Sequence, residues 1–270
     1  MCLIVVALHA HSHYPVVLAA NRDEFIQRPT HQAHWWVYFP DVLGGMDLEA
    51  GGTWLGITRS GRFVAVTNVR DAHNINPDAP SRGELSYKFL TQNWTNEDFR
   101  LMLERRGRLY NGFNIIWGNL ARHELFWYSN YATQHEVIES GIHGISNALL
   151  NTPWHKVERA KTLVATVLND TTISQQELCS HLFAILRDTT PADDALLPDT
   201  GVGIAWERQL SPIFIHSPEH AYGTRCSTIL LVDAERTVTF IERRFTPSLL
   251  YGRKEEYPGE TSYTFTLEKT

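Results

Sequence analysis

The chain has few cysteines, no long apolar run and no excess of basic charge, and each shortage removes a class of function. Cys2, Cys179 and Cys226 cannot all pair with one another and show no metal-ligand spacing. That argues against a disulfide scaffold and a zinc site, and for a reducing compartment. The N-terminal stretch stays apolar for only seven residues after Met1 before it reaches His9, His11 and His13. It lacks the basic start and the core of a signal peptide, and no later run approaches the roughly 18 apolar residues of a membrane span. A cytoplasmic protein without a transmembrane segment is expected. A net charge of −6 and a pI near 6.1 repel polyphosphate, so nucleic acid is not an expected partner. The pairs Gly44-Gly45 and Gly51-Gly52 lack the Lys-Ser/Thr that follows a phosphate loop, and read as flexible loop, a candidate lid. No repeat or linker-like tract divides the chain, so one domain over residues 1–270 is the simplest organisation.

What is present is a set of short apolar strands and capped helices. Residues 3–8 and 16–20 are continuous apolar runs joined by a polar turn, a hairpin of buried strands. Residues 53–59 and 62–68 flank Ser60-Gly61, a two-residue hairpin signal. Residues 113–118 with 124–128 repeat the pattern, and 142–146, 228–233 and 237–242 read as further strands. Ser81 with Glu84, Ser174 with Glu177, and Thr95 with Asp98 mark helix starts by their capping spacing. Thr152-Pro153 opens a helix over 153–168 with Val157, Ala160, Leu163, Val164 and Val167 at helical spacing. The sum is an α+β protein of mostly antiparallel sheets, whose all-apolar strands want cover on both faces.

The candidate chemistry centres on Cys2. Methionine before a small residue is readily removed, which leaves a free α-amine on the cysteine itself. That amine, with a pKa of about 7.7–8.0, can take the proton of a thiol whose own pKa is about 8.5. A turn centred near Ser12-His13 sets Cys2 opposite Asp23, where a carboxylate would hold the amine. Strand alternation then turns Arg22 to the face away from Asp23. Asn21, Arg22, Asp23 and Glu24 end an apolar strand and read either as a solvated strand end or as a site. Asn68 and Asn147 close two strands, as turn residues or as donors to an oxyanion. Arg225 enters an apolar strand as a surface charge or an anion clamp. His9, His11 and His13 alternate on one strand face but fall in the turn, so solvent exposure is expected rather than a metal site.

The start "MCLI" and the segments "AANRDEF", "GGTWLGI", "VTNVRD", "GISNALLNTPWHKVERAK" and "YGTRCSTILLVD" resemble the NRDE family, which includes the transport-and-Golgi-organisation-two proteins. The matches run in order from residue 2 to about 240. That family in turn resembles the cysteine N-terminal-nucleophile hydrolases, such as penicillin V acylases and bile salt hydrolases. The resemblance implies a four-layer αββα sandwich with Cys2 as nucleophile at the start of a central strand. It implies that Asp23 holds the amine, that Asn147 and the region of Asn68 form the oxyanion hole, and that Arg225 is a late active-site arginine. Those amidases carry an arginine three residues before the aspartate, where this chain has Ala20. Asn21, Arg22 and Trp54 are candidate binding residues beside this centre.

The expected function is hydrolysis or acyl transfer at a non-peptide amide bond, with no cofactor. Trp35, Trp36, Tyr38 and Trp54 suggest a small-molecule substrate with an apolar acyl group. The alternative is a non-catalytic carrier of haem or acyl lipid on the same fold. Members of the family have been connected with haem trafficking, and thirteen histidines offer axial ligands without any spacing that singles one out.

Overall fold

A computed structural model describes residues 2–132, 135–245 and 259–268. Met1, whose removal the sequence leads us to expect, lies outside the described residues.

Two antiparallel sheets form the middle of the molecule. The first has the order β10–β1–β2–β12–β13–β14, with β11 added against β12. Its strands are β1 (Cys2–Leu8), β2 (Val16–Phe25), β10 (Gly141–Ile145), β11 (His216–Ser217), β12 (Tyr222–Val232), β13 (Thr237–Arg244) and β14 (Gly259–Thr266). The second runs β3 to β9 in chain order. It comprises β3 (Thr30–Trp35), β4 (Val42–Asp47), β5 (Leu55–Thr58), β6 (Arg62–Asn68), β7 (Phe113–Asn119), β8 (Glu124–Ser129) and β9 (Glu136–Val137).

Three apolar clusters define four layers. Between the sheets, Ile4, Val6, Leu8, Leu18 and Ala20 pack with Leu55, Ile57, Phe63, Ala65 and Ile116. The other face of the first sheet, with Leu3, Val5, Ala7, Val17 and Ala19, is covered by α3 (His155–Leu168) and α4 (Gln175–Leu186). The outer face of the second sheet, with Val64, Ile115 and Trp117, is covered by α1 (Gly83–Thr91) and α2 (Asn96–Arg106). A short α5 (Ile204–Gln209) lies between α4 and β11 in the chain. The fold is therefore an αββα sandwich, and β1 is apolar at successive positions because both of its faces are covered. Among the described residues no helix is long and apolar enough to cross a membrane.

The first hairpin differs from its expected register by one residue, and the difference decides the site. Cys2 pairs with Arg22 and Leu3 with Asn21, around a seven-residue turn, 9–15, closed by the His9 N–H on the Pro15 carbonyl at 2.8 Å. Directly opposed residues of an antiparallel pair point to the same face. Pairing Cys2 with Asp23 would have turned Asn21 and Asp23 into the apolar space between the sheets. A one-residue slip exchanges the faces of a whole strand, so the apolar alternation selects the observed register. Within the turn His9 and His13 are exposed as expected, but His11 is buried, its Nδ1 accepting from the His13 N–H.

Other expectations need smaller corrections. The turn at Ser60-Gly61 has three residues, Arg59 to Gly61, with Gly61 at φ 86°, a conformation that favours glycine. Gly44 and Gly45 are buried within β4, so they form no lid. Gly45 lies under the Trp54 ring, where any Cβ would collide with the indole. Ser174 and Glu177 make a full capping box, and Thr95 accepts from the Asp98 N–H. The helix expected at Ser81 has Arg82 at its N-cap with no side-chain cap, because Glu84 is drawn to Lys88 and Tyr110. The helix after Thr152-Pro153 begins two residues later, behind Trp154.

Candidate functional site

One end of the sandwich gathers the start of β1, the end of β2, the residues after β10 and the end of β6. Cys2 is half-buried and faces the space between the sheets, directly beside Arg22. It lines a cavity of 10 Å³ with Ile4, Ala20, Asn21, Arg22, Trp54, Leu55, Val66 and Thr228, room for one water at most. The Arg22 guanidinium is 5% exposed, stands 4.3 Å above the Trp54 ring and reaches Glu24 at 3.9 Å. Its Nη1 finds no hydrogen-bond partner among the described residues. Burial pushes the Cys2 thiol above its ordinary value. The Asp23 carboxylate adds to this, while the Arg22 charge and the Asp23 backbone N–H work against it.

Asp23 points the other way, into the layer between the first sheet and α3. It is 1% exposed and accepts from the Thr224 hydroxyl at 2.7 Å. Burial raises its carboxyl, opposed chiefly by the ammonium of Lys156. Cys2 and Asp23 thus stand on opposite faces of the sheet, joined through the Asp23 backbone N–H at the thiol.

Asn147 is held across the end of the sandwich by a polar ladder. The Ser146 hydroxyl donates to the Cys2 carbonyl at 2.9 Å, and the Thr67 hydroxyl donates to the Ser146 carbonyl at 2.8 Å. Asn147 Nδ2 donates to the Asn68 carbonyl at 3.1 Å, and its own carbonyl accepts from the Arg70 N–H at 2.8 Å. Asn68 therefore contributes its carbonyl to the site. The N–H groups that follow it, of Val69 and Arg70, are committed to Gly112 and Asn147. Nδ2 has a second N–H, which is what an oxyanion donor requires. On its far side Asn147 lines an open groove of 340 Å³ with Val69, Arg70, His73, Tyr131 and Trp154.

Two of the expected site residues are used elsewhere. Asn21 faces α4, where Nδ2 donates to the Leu186 and Ile213 carbonyls at 2.8 and 2.9 Å and Oδ1 accepts from Ser227 at 2.5 Å. With both N–H groups and the carbonyl engaged, its side chain ties the helix layer to the sheet and has no N–H left for a ligand. Arg225 sits at a bulge in β12, its Nη1 donating to the Phe25 carbonyl at 2.7 Å and the Arg28 carbonyl at 3.3 Å. It fastens the loop after β2, and no hydrogen bond joins it to Cys2 among the described residues. Of the four aromatics, Trp54 alone lines the Cys2 cavity. Trp36 is buried against Tyr87, Trp35 packs on Phe265, and Tyr38 is exposed.

The sequence reading missed Lys156, Arg70, Glu207 and Thr224. Arg70 and Glu207 form an ion pair at 2.6 Å with 5% and 2% exposure, and Glu207 also accepts from the Thr200 N–H and hydroxyl. Glu207 lies far from Arg70 in sequence, and no local pattern joins them. Lys156 did leave a signal, since it stands four residues before Ala160 on the apolar stripe of α3.

Comparison with known proteins gives the family of the chain. A homologue of Transport and Golgi organization protein 2 from Bos taurus is 37% identical over 245 residues, covering 85% of this chain and 86% of that protein. The Mus musculus homologue is 36% identical with 94% of each covered, and the Drosophila melanogaster protein is 32% identical with 86% and 87% covered. Among solved structures, a C2A variant of the conjugated bile acid hydrolase of Clostridium perfringens aligns over 100% of this chain and 99% of its own, at 10% identity and a TM-score of 0.46. A Caenorhabditis elegans orthologue of N-acylethanolamine-hydrolyzing acid amidase aligns over 85% and 92%, at 11% identity and a TM-score of 0.47. The model of the Transport and Golgi organisation 2 family matches residues 1–247, and the chain belongs to that family.

Proposed function

We propose that this protein hydrolyses, or transfers the acyl group of, a non-peptide amide through Cys2. The observation that carries the reading is the convergence at Cys2: a thiol beside the Arg22 charge, the Asp23 backbone N–H on its sulfur, and Asn147 braced against its own carbonyl through Ser146. Once Met1 is removed, the α-amine of Cys2 takes the thiol proton. The sulfur then bonds to the substrate carbonyl carbon while the second Nδ2–H of Asn147 receives the oxyanion. Such a donor contributes about 10²–10³ in rate. Collapse breaks the C–N bond, the ammonium protonates the departing amine, and a thioester remains on Cys2. Water, deprotonated by the same amine, or an acceptor amine or alcohol then releases the acyl group and restores the thiol. The groove of 340 Å³ beside Asn147 has the size for one arm of a small substrate, and Trp154, Leu149 and Val69 give it apolar walls.

Intact mass of natively purified protein, before and after limiting iodoacetamide, tests this reading. Loss of Met1 and a single adduct on Cys2 are expected. Burial pushes Cys179 up to about 11 and Cys226 well above its ordinary value, and neither carries an α-amine to take its proton, so both should label slowly. Retained Met1, or three cysteines labelled at equal rates, would refute the mechanism.

A further inference from the structure

Lys156 is a buried ammonium for which the proposed chemistry has no stated use. It is the second residue of α3, and the helix packs through Val157, Ala160 and Val164 on the outer face of the first sheet. The lysine itself lines a small cavity with Arg70, Trp154 and Glu207. It is 1% exposed, and its Nζ has no hydrogen-bond partner among the described residues. Stripping an ammonium of water without hydrogen bonds is costly, whereas a methionine would fill the same space at little cost.

The surrounding charges indicate what the ammonium faces. Asp23 on β2 is its strongest opposite charge, with Cys2 on β1 and Glu207 on α5 also favouring the charged form. Arg70, on the loop after β6, opposes it. Glu24 and Tyr222 flank Asp23 from β2 and β12. Glu207 is already engaged by Arg70 at 2.6 Å and by the Thr200 hydroxyl and N–H. Asp23 has one oxygen on the Thr224 hydroxyl and shares a face of β2 with Ala19 and Asn21, which turn to the layer of α3 and α4 in which Lys156 is buried. The carboxylate that Lys156 compensates is therefore Asp23.

We propose that Lys156 is a positioning residue for the Cys2 site, a buried cation that keeps Asp23 ionised so that Asp23 can hold the α-amine of Cys2. The proposal rests on the reading of Cys2 as nucleophile. A carboxylic acid in so dry a site takes up a proton when its compensating charge is removed. A protonated Asp23 no longer accepts from the amine, and the base that deprotonates the thiol loses its orientation. Lys156 touches neither thiol nor substrate in this scheme and acts through Asp23.

The test is the pH–rate profile of Cys2 alkylation by iodoacetamide in the full chain, followed by peptide mass spectrometry. Lys156→Met is expected to alkylate about tenfold more slowly at pH 7.5, because the amine that takes the thiol proton is no longer held in place. Lys156→Arg, which keeps the charge, should recover most of the rate. In an Asp23→Asn background, Lys156→Met should add nothing further, because the two act as one unit. A Lys156→Met profile that superimposes on the wild type would overturn the proposal and make the lysine a space-filler. So would an undiminished effect of Lys156→Met in the Asp23→Asn background. Should the methionine variant not fold, Lys156→Gln gives the same reading, being uncharged at every pH. If Cys2 in the wild type reacts no faster than Cys179 and Cys226, the reading of Cys2 itself fails and this proposal falls with it.

Discussion

Replacing Glu207 by glutamine removes one charge from the most buried ion pair at this end of the sandwich and leaves the shape intact. Arg70 and Glu207 meet at 2.6 Å with 5% and 2% exposure, so neither charge has water to turn to when its partner is lost. Breaking a buried pair from one side costs about 3–5 kcal/mol. The glutamine carbonyl can still accept from the Thr200 N–H and hydroxyl, which keeps the cost at the low end of that range. A net loss of about 3 kcal/mol follows, and at about 2–4 °C per kcal/mol for a chain of this size the melting temperature should fall by about 6–12 °C. Thermal unfolding followed by circular dichroism reads this directly. The double change Arg70→Met with Glu207→Leu should cost less than Glu207→Gln alone, since it strands no charge. A loss below about 1 kcal/mol for Glu207→Gln, or a double variant no more stable than the single, would refute the argument. The pair also matters to the site, because the Arg70 N–H holds the Asn147 carbonyl and the Ala72 N–H holds that of Thr200.

Two further outcomes are expected. Glu242 is 1% exposed and accepts from the Ala33 N–H at 2.8 Å, and burial raises its carboxyl above the usual 4.5. The folded state then keeps a proton that the unfolded chain releases, so stability falls as pH rises from about 4.5 through the raised folded value. Glu242→Gln should abolish that fall and melt higher than the wild type at pH 8, and a pH dependence unchanged by the substitution would show that Glu242 does not cause it. Gly45→Ala places a methyl group against the Trp54 ring, which must leave Arg22. A loss of about 1–3 kcal/mol, typical of overpacking, should accompany faster alkylation of Cys2, and unaltered labelling would mean that Trp54 does not screen the thiol.

The residues alone called for antiparallel sheets covered on both faces, and the family resemblance supplied the four-layer order. The apolar runs of β1, β2 and β12 require cover on both faces, and the stripes of α3 and α4 supply it on one side. The capping boxes and glycine turns are local chemistry, so they located most elements within a few residues. Cys2 was legible because its neighbour in sequence, Met1, and its place at the head of a strand are both local facts. The face on which each polar residue of β2 lies was decided only by tertiary structure. A turn of seven residues does not fix its own centre, and the register was set by matching Ile4, Val6 and Leu8 to Ala20, Leu18 and Val16 inside the sandwich. That match put Arg22 beside Cys2, turned Asp23 towards Lys156 and gave Asn21 to the helix layer. The fixing of Asn147 likewise depends on Thr67, Asn68 and Arg70, which lie 77 to 80 residues away and on the other sheet or the loop that follows it. Hydrogen bonds across two sheets have no sequence period, because the backbone spacing that creates periodicity does not extend from one sheet to the next.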